Sequence, residues 1–152
     1  MHIRQATTTD IPHCAGLLEE LFRQEKEFVP QRSLQEQGLA MILNEPGTGT
    51  VLVAETSEGD LAGMLVLLYT VSTALGGKVM LLEDMVVAPR WRRQGVGSAL
   101  VSQACRHAEC NKFKRITLLT DPDNTAAHHL YQQHGFITSG MTVFRNIISS
   151  QK

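Results

Sequence analysis

Hydrophobic residues in the first third of the chain follow a helical spacing after a short extended start. Residues 2–6 predict a short edge strand, and Thr9 or Asp10 then supplies the cap of a helix. The apolar residues that follow recur every three or four positions, which predicts an amphipathic helix. They are Ile11, Cys14, Leu17, Leu18 and Leu21. A weaker pattern over residues 34–43 predicts a second helix after a loop at residues 28–32.

The middle of the chain changes to a strand-like pattern. Residues 51–55 and 61–71 are short, β-branched or leucine-rich segments separated by a turn sequence, which predicts a hairpin. Residues 79–87 predict a third strand that is apolar on both faces, as in a central strand covered on both sides. The adjacent acids Glu83 and Asp84 interrupt this strand. Acids in such a strand are candidates for chemistry.

Helices and strands alternate in the last third of the chain. Apolar residues at helical spacing predict a helix that begins near Gly95, followed by a strand at residues 116–120. Residues 124–134 predict a further helix ending at Gly135, and residues 141–147 predict a last strand. The order β-α-α-β-β-β-α-β-α-β predicts an α/β fold, or α+β by another convention. Its central sheet is mixed and flanked by helices, with a parallel pair joined by the helix after Gly95.

Length and charge restrict the classes of function. A chain of 152 residues suits one domain, which we place at residues 1–148 with a polar tail at 149–152. The 14 Lys plus Arg and 15 Asp plus Glu leave no global field to attract nucleic acid or an anionic membrane. We therefore expect no nucleic-acid and no membrane partner, and any anion site must be local.

Targeting and redox signals are weak. The first residues lack the apolar core of a signal peptide, and the longest apolar run, residues 61–71, is shorter than the roughly 20 residues that span a bilayer. We expect a cytoplasmic protein. The three cysteines include no C-x-x-C pair, which argues against a disulfide framework and a zinc knuckle. His128, His129 and His134 lack the spacing of a zinc helix and indicate a solvated helix face.

The most informative segment is residues 89–98, PRWRRQGVGS, between the central strand and the next helix. A turn into a helix N-terminus presents unpaired N–H groups, and glycines let an anion approach the backbone closely. Three arginines add local positive charge, so a diphosphate would fit there. They are Arg90, Arg92 and Arg93. The alternative is a basic helix-entry turn with its arginines in solvent.

A nicotinamide dinucleotide is one possible ligand of such a loop. Its motif is G-x-G-x-x-G or a close variant, but Gly95 and Gly97 are followed by Leu100 where the third small residue belongs. The preceding strand is also the fourth of the chain rather than the first. Both features disfavour a dinucleotide-binding fold.

The motif R-x-x-G-x-G, at Arg92, Gly95 and Gly97, resembles the acetyl-coenzyme A loop of the GCN5-related N-acetyltransferase (GNAT) superfamily. Relatives also have an acidic strand leading into the loop, matched by residues 82–89. A later motif, N-x-x-A-x-x-L-Y-x-x-x-G-F, is matched as well. Its residues are Asn124, Ala127, Leu130, Tyr131, Gly135 and Phe136. The resemblance covers nearly the whole chain, with the strongest motifs between residues 83 and 136.

The resemblance implies acetyl-coenzyme A as cosubstrate and no metal. In relatives, strand backbone corresponding to Met85, Val86 and Val87 pairs with the pantetheine arm in the manner of an added strand. Loop N–H groups hold the pyrophosphate. The loop residues concerned are Arg92, Arg93, Gln94, Gly95, Val96, Gly97 and Ser98.

The second motif extends this implied cofactor site. Asn124, Ala127 and Tyr131 share one helical face by their spacing, and in relatives this face meets the coenzyme. Asn124 is equally explained as a helix N-cap, and the two roles can coexist.

Acetyl transfer to an amine needs a neutral amine and a proton for the departing thiolate. With a pKa of about 10.4, only about one lysine-like amine in 2,500 is neutral at pH 7, so a proton acceptor is useful. Glu83 fits this role if partial burial raises its pKa, whereas Asp84 points to the opposite face. Glu83 could instead cap a loop or pair with a cation. Tyr131 resembles the tyrosine that protonates the thiolate in relatives, and the alternative role is packing alone.

The implied function is acetyl-coenzyme A dependent N-acetylation of a primary amine by direct transfer in a ternary complex. The competing function is a non-catalytic acyl-coenzyme A binding or sensing module. The acceptor is a small molecule or peptide amine, expected at residues 10–43 and 69–78. Four acids in the first region, Glu19, Glu20, Glu25 and Glu27, hint at a cationic acceptor or form a charged helix face. Many relatives are dimers, so the resemblance also makes a homodimer plausible.

Overall fold

The computed structural model describes residues 1–25 and 31–148. Its five strands are β1 His2–Gln5, β2 Gly49–Glu55, β3 Leu61–Ser72, β4 Gly77–Val87 and β5 Ile116–Leu118. Its four helices are α1 Ile11–Gln24, α2 Arg32–Asn44, α3 Val96–Cys110 and α4 Thr125–Gln133. Short 3-10 turns lie at Thr8–Asp10 and Pro89–Trp91. Apart from the last strand, the predicted order of elements is confirmed.

The strands form one mixed sheet in the order β1-β2-β3-β4-β5. The first three pairings are antiparallel, and β4 pairs with β5 in parallel through the α3 crossover, as predicted. The hairpin between β2 and β3 is also present, with Gly59 in the left-handed region at φ 89°. The α/β fold class is therefore confirmed.

Helices cover both faces of the sheet and divide the core into two layers. On one face, α3 packs Leu100 and Ala104 against buried residues such as Leu65. On the other face, α1 packs Cys14 and Leu18 against the opposite side chains of the same strands. Because β3 is covered on both sides, six consecutive residues of it are buried, which explains its unbroken apolar run.

The start of α1 is anchored to the edge of the sheet by a buried carboxylate. Asp10 occupies the N-cap position, but its Oδ2 accepts from the Thr7 backbone N–H at 2.8 Å rather than from the helix. Arg4 donates to both Asp10 oxygens and also contacts Glu55 on β2. The Arg4 guanidinium lowers the pKa of Asp10. This network ties β1, β2 and α1 together.

A bulge interrupts the pairing of β4 with β3. Leu67 pairs with Leu82 and Val66 pairs with Asp84, so Glu83 is an extra residue with no partner on β3. Pairing of β4 with β5 also ends at Leu82. Beyond the bulge, the β4 edge that faces away from β3 has no neighbouring strand in the described part of the chain.

The predicted strand at residues 141–147 is wrong: within residues 31–148, no helix or strand follows α4. Its apolar side chains find no sheet to pack against, and Ile137 and Phe144 are each 91% exposed. The strand predicted at 116–120 is also shorter, ending at Leu118. Part of the predicted loop, at 28–30, and the tail at 149–152 lie outside the described residues. None of the described helices combines the length and apolarity needed to cross a membrane.

Candidate active site

The loop between β4 and α3 has a backbone conformation suited to an anion. Gly95, the N-cap of α3, has φ 83°, and a Cβ placed on it would meet no atom within 4 Å. The first helical hydrogen bond runs from the Ala99 N–H to the Gly95 carbonyl at 3.0 Å. The N–H groups of Val96, Gly97 and Ser98 therefore lack intrahelical acceptors at the positive end of the helix. These donors beside open space fit a diphosphate.

Gly97 has a different structural reason from Gly95. A Cβ on Gly97 would lie 3.3 Å from Leu130 Cδ2 and 3.8 Å from Met85 Cε. Its missing side chain therefore lets α3 approach α4 and β4 closely. The sequence motif predicted close anion approach for both glycines, and the structure divides the two positions between backbone access and helix packing.

The arginines of the loop are not equivalent. Arg92 Nε donates to the Val87 carbonyl at 3.0 Å, and its Nη2 lies 3.8 Å from Glu20 of α1. Arg92 therefore ties the loop to the end of β4 and to α1, and its contact with the cofactor stays a prediction. The guanidinium of Arg90 lies 5.4 Å from the centre of the Trp91 ring. Arg93 is exposed in the left-handed region at φ 61°.

The backbone of residues 85–87 is open on one side. Met85 pairs with Leu65, Val86 with Met64 and Val87 with Gly63, all on β3. The opposite edge runs on from the bulge to the loop without a paired strand in the described residues. A ligand with amide groups can add to such an edge as an extra strand.

Helix α4 carries Ala127 and Tyr131, and Asn124 lies at its exposed start. Asn124 Oδ1 accepts from the Ala127 N–H at 3.2 Å, so Asn124 is the N-cap that the sequence allowed. Tyr131 is buried, at 9% exposure, and its ring meets that of Phe136 edge to face at 5.8 Å. Burial raises the pKa of Tyr131 above its ordinary value of 10. The phenol therefore keeps its proton at neutral pH, and its ring is packed.

Ser98 and His134 form a contact that the sequence pattern does not predict. Ser98 Oγ lies 2.9 Å from His134 Nε2, and both residues are half-buried. The expected solvated face describes His128 and His129 better: His128 Nε2 lies 2.9 Å from the Asp121 carbonyl, and His129 contacts Gln133 on its own helix. A separation of 36 residues leaves no local signal for the Ser98–His134 pair.

The two acids on β4 differ in burial because Glu83 is the bulged residue, whereas Asp84 pairs with Val66. Glu83 is exposed, so the condition of partial burial attached to its predicted role is not met. Asp84 is half-buried opposite Val66, on the face covered by α1. Burial raises the pKa of Asp84 to about 7, and the negative charges of Glu83 and Glu25 add to the effect. Asp84 thus has a pKa in the range that suits a general base near neutral pH.

Two acids of α1, Glu19 and Glu20, form ion pairs with neighbouring arginines. Glu19 lies 3.6 Å from Arg32 and 3.7 Å from Arg23, and Glu20 lies 3.5 Å from Arg23. These contacts support the charged-face explanation for both glutamates. Glu27 lies outside the described residues. Across the described ranges, no three His, Cys, Asp or Glu side chains form a group that could hold a metal ion.

Comparisons with known proteins agree with the motifs. The Acetyltransferase (GNAT) family profile matches residues 15–136. The chain is 35% identical over 139 residues to the uncharacterized N-acetyltransferase YhfO of Bacillus subtilis, covering 90% of this chain and 89% of that protein. It is 37% identical over 83 residues to aminoglycoside N(6')-acetyltransferase type 1 of Klebsiella aerogenes, covering 51% of this chain and 55% of that protein.

Solved structures support the same assignment. The crystal structure of a probable acetyltransferase superposes with a TM-score of 0.86 and 25% identity, covering 99% of this chain and 100% of that one. The predicted resemblance is therefore confirmed by sequence and by fold. The chain belongs to the acetyltransferase (GNAT) family, and it is an acyltransferase.

Proposed function

We propose that the protein is an acetyl-coenzyme A dependent N-acetyltransferase that acetylates a primary amine by direct transfer in a ternary complex. The observation that carries this proposal is the open backbone edge of residues 85–87, which leads directly into the N-terminus of α3. One feature suits an extended chain of amides and the other suits a diphosphate, and coenzyme A contains both groups in one molecule.

The residues proposed for the cosubstrate fall into two sets. Met85, Val86 and Val87 offer backbone groups for the pantetheine arm. The loop from Arg93 to Ser98 offers N–H groups for the diphosphate, while Arg92 acts by holding the loop on Val87 and Glu20. Ala127 and Tyr131 would contact the coenzyme from α4, and Asn124 would support them as the helix N-cap. Bound acetyl-coenzyme A supplies the acetyl thioester.

Tyr131 is the proposed donor of the proton that the departing thiolate needs. Its raised pKa keeps the phenol protonated at neutral pH, and its position in α4 is held by the contact with Phe136. A thiol has a pKa of about 8.5, so the proton transfer is uphill by at least roughly 2 kcal/mol, which a reactive, short-lived thiolate can accept.

We propose Asp84 as the acceptor of the amine proton, and Glu83 as the alternative. Asp84 is half-buried beside the open β4 edge, and a pKa of about 7 matches a general base that works near neutral pH. Glu83 lies one residue away at the bulge but is exposed. The two acids also make a positively charged amine a suitable acceptor class, and a related enzyme is named for aminoglycosides.

Two isosteric variants distinguish these acids. If Asp84 takes the proton, Asp84→Asn lowers kcat/KM by about 10²- to 10⁴-fold near pH 7, and the deficit shrinks as pH approaches the amine pKa. Glu83→Gln is the matched control and stays within a few fold at every pH. The reverse pattern would assign the role to Glu83, and flat ratios for both variants would exclude both acids as the base.

We also propose that the chain forms a homodimer through residues 137–148. Six large apolar side chains of this segment are exposed, with Phe144 at 91% and Ile148 at 88%. The outer edge of β5 has no strand partner among the described residues. A second copy offers both complements at once, since each chain carries one exposed apolar segment and one open sheet edge among the described residues.

The cytoplasmic location of the protein stays a prediction.

A further inference from the structure

A hydrogen bond joins the two helices that the proposed function assigns to the cosubstrate. Ser98 lies in the first turn of α3, among the N–H groups proposed for the diphosphate. His134 is the C-cap of α4, one helical turn after Tyr131. The Ser98 Oγ to His134 Nε2 distance of 2.9 Å is that of a good hydrogen bond.

The direction of this hydrogen bond decides what Ser98 can offer an anion. A hydroxyl has one proton to donate, and a phosphate oxygen only accepts. If Ser98 donated to His134, its proton would be occupied. If the His134 Nε2–H donates to Ser98 Oγ, the hydroxyl proton stays free for a phosphate oxygen, and the chain of two hydrogen bonds strengthens each one.

The position of His134 is well defined by its helix. Its backbone N–H donates to the Tyr131 carbonyl at 3.0 Å, and Gly135 follows in the left-handed region at φ 89°. The ring is therefore held at the end of α4 and faces the first turn of α3. His128 and His129 make no such contact, because their rings bond to the Asp121 carbonyl and to Gln133.

We propose that His134 is a positioning residue for the cosubstrate diphosphate, donating through Nε2–H to Ser98 so that the Ser98 hydroxyl donates to a phosphate oxygen. This inference rests on the proposed function, since it needs coenzyme A at the α3 N-terminus.

The test compares two ligands that differ in the diphosphate. Calorimetry gives the dissociation constant of coenzyme A, and kcat/KM is measured with acetyl-coenzyme A and with S-acetylpantetheine, which lacks the diphosphate. We expect His134→Leu and Ser98→Ala each to weaken coenzyme A binding about tenfold or more, as for loss of a hydrogen bond to a charged group. Use of S-acetylpantetheine should change less than twofold.

Variants of matched design separate this role from packing. His134→Gln carries an amide N–H at similar reach and should recover most of the affinity. His128→Leu, on the same helix, should leave it unchanged. Adding His134→Leu to Ser98→Ala should cost no more than about twofold beyond Ser98→Ala alone, because the two residues act in series.

Several outcomes would overturn the inference. Equal losses with acetyl-coenzyme A and S-acetylpantetheine, or additive effects of the two substitutions, would mean that the pair only packs the helices. Unchanged coenzyme A affinity in His134→Leu and Ser98→Ala would also overturn the inference, but it would leave the proposed function intact. Failure of the wild-type protein to bind coenzyme A would instead overturn the proposed function itself. Melting temperatures without ligand show whether each variant is folded.

Discussion

Asp84 and Glu83 are adjacent in sequence but differ in exposure, and this difference should appear in the pH dependence of stability. The folded state holds the Asp84 proton up to about pH 7, whereas an unfolded Asp releases it near pH 3.9. Between these values the folded state binds more protons, so the free energy of unfolding falls as pH rises. Above pH 7 Asp84 is ionised in the folded state as well, so the full loss of stability from burying its charge is present.

We therefore expect Asp84→Asn to stabilise the protein at pH 8 by about 1–4 kcal/mol and to have little effect at pH 4. Urea unfolding at a series of pH values measures this difference. Glu83→Gln, at the exposed neighbouring position, should change the profile far less. A stability gain of Asp84→Asn that is equal at pH 4 and pH 8 would contradict the burial of this carboxyl.

A separate prediction concerns the single residue Tyr131. Tyr131→Phe keeps the ring that contacts Phe136 but removes the proposed proton donor. We expect turnover to fall by about 10²- to 10⁴-fold while coenzyme A affinity stays within a few fold. Pre-steady-state thiol release measures the chemical step. Unchanged release in the variant would assign Tyr131 to packing alone.

Gly95 and Gly97 lie where the β4–α3 loop enters helix α3, and we expect substitutions at these two positions to have different effects. Gly95→Val puts a side chain into open space at a left-handed position, so it should remove the stabilisation that coenzyme A provides. For the wild type that stabilisation is about 2.7 kcal/mol at a concentration a hundredfold above the dissociation constant. Thermal denaturation with and without coenzyme A measures both effects.

Gly97→Val should act mainly on the fold without ligand. A Cβ at this position would lie 3.3 Å from Leu130 Cδ2 and 3.8 Å from Val87 Cγ2, so the larger valine side chain must displace these neighbours and the melting temperature should fall even without coenzyme A. If Gly97→Val melted like the wild type, close packing would not explain this glycine.

The elements also show where sequence information ends. The helix after Gly95, the motif around Tyr131 and the hairpin were predictable because spacing and turn residues act locally. The bulge at Glu83 was not predictable, because it depends on the register of β4 with β3, and it leaves Glu83 exposed and Asp84 half-buried. The Ser98–His134 contact joins residues 36 apart, for which no periodic signal exists.

For the whole molecule, the exposed apolar segment at residues 137–148 predicts a dimer that depends on it. Phe144→Asp should shift the protein from dimer to monomer, because a charge in a buried strand interface is costly. Light scattering after size-exclusion chromatography measures the mass. Met41→Asp, at a 70% exposed position of α2, is the control and should leave the dimer intact. A wild-type monomer at all concentrations would contradict the dimer.

The proposed activity of this chain is transfer of an acetyl group from acetyl-coenzyme A to an amine. The most direct measurement is thiol release from acetyl-coenzyme A with a panel of amines that includes aminoglycosides, polyamines and lysine peptides. We predict release that requires both an amine and acetyl-coenzyme A, gives an acetylated amine by mass spectrometry, and is lost in Tyr131→Phe. Tight binding of coenzyme A without amine-dependent release across the panel would contradict this account and favour a sensing module.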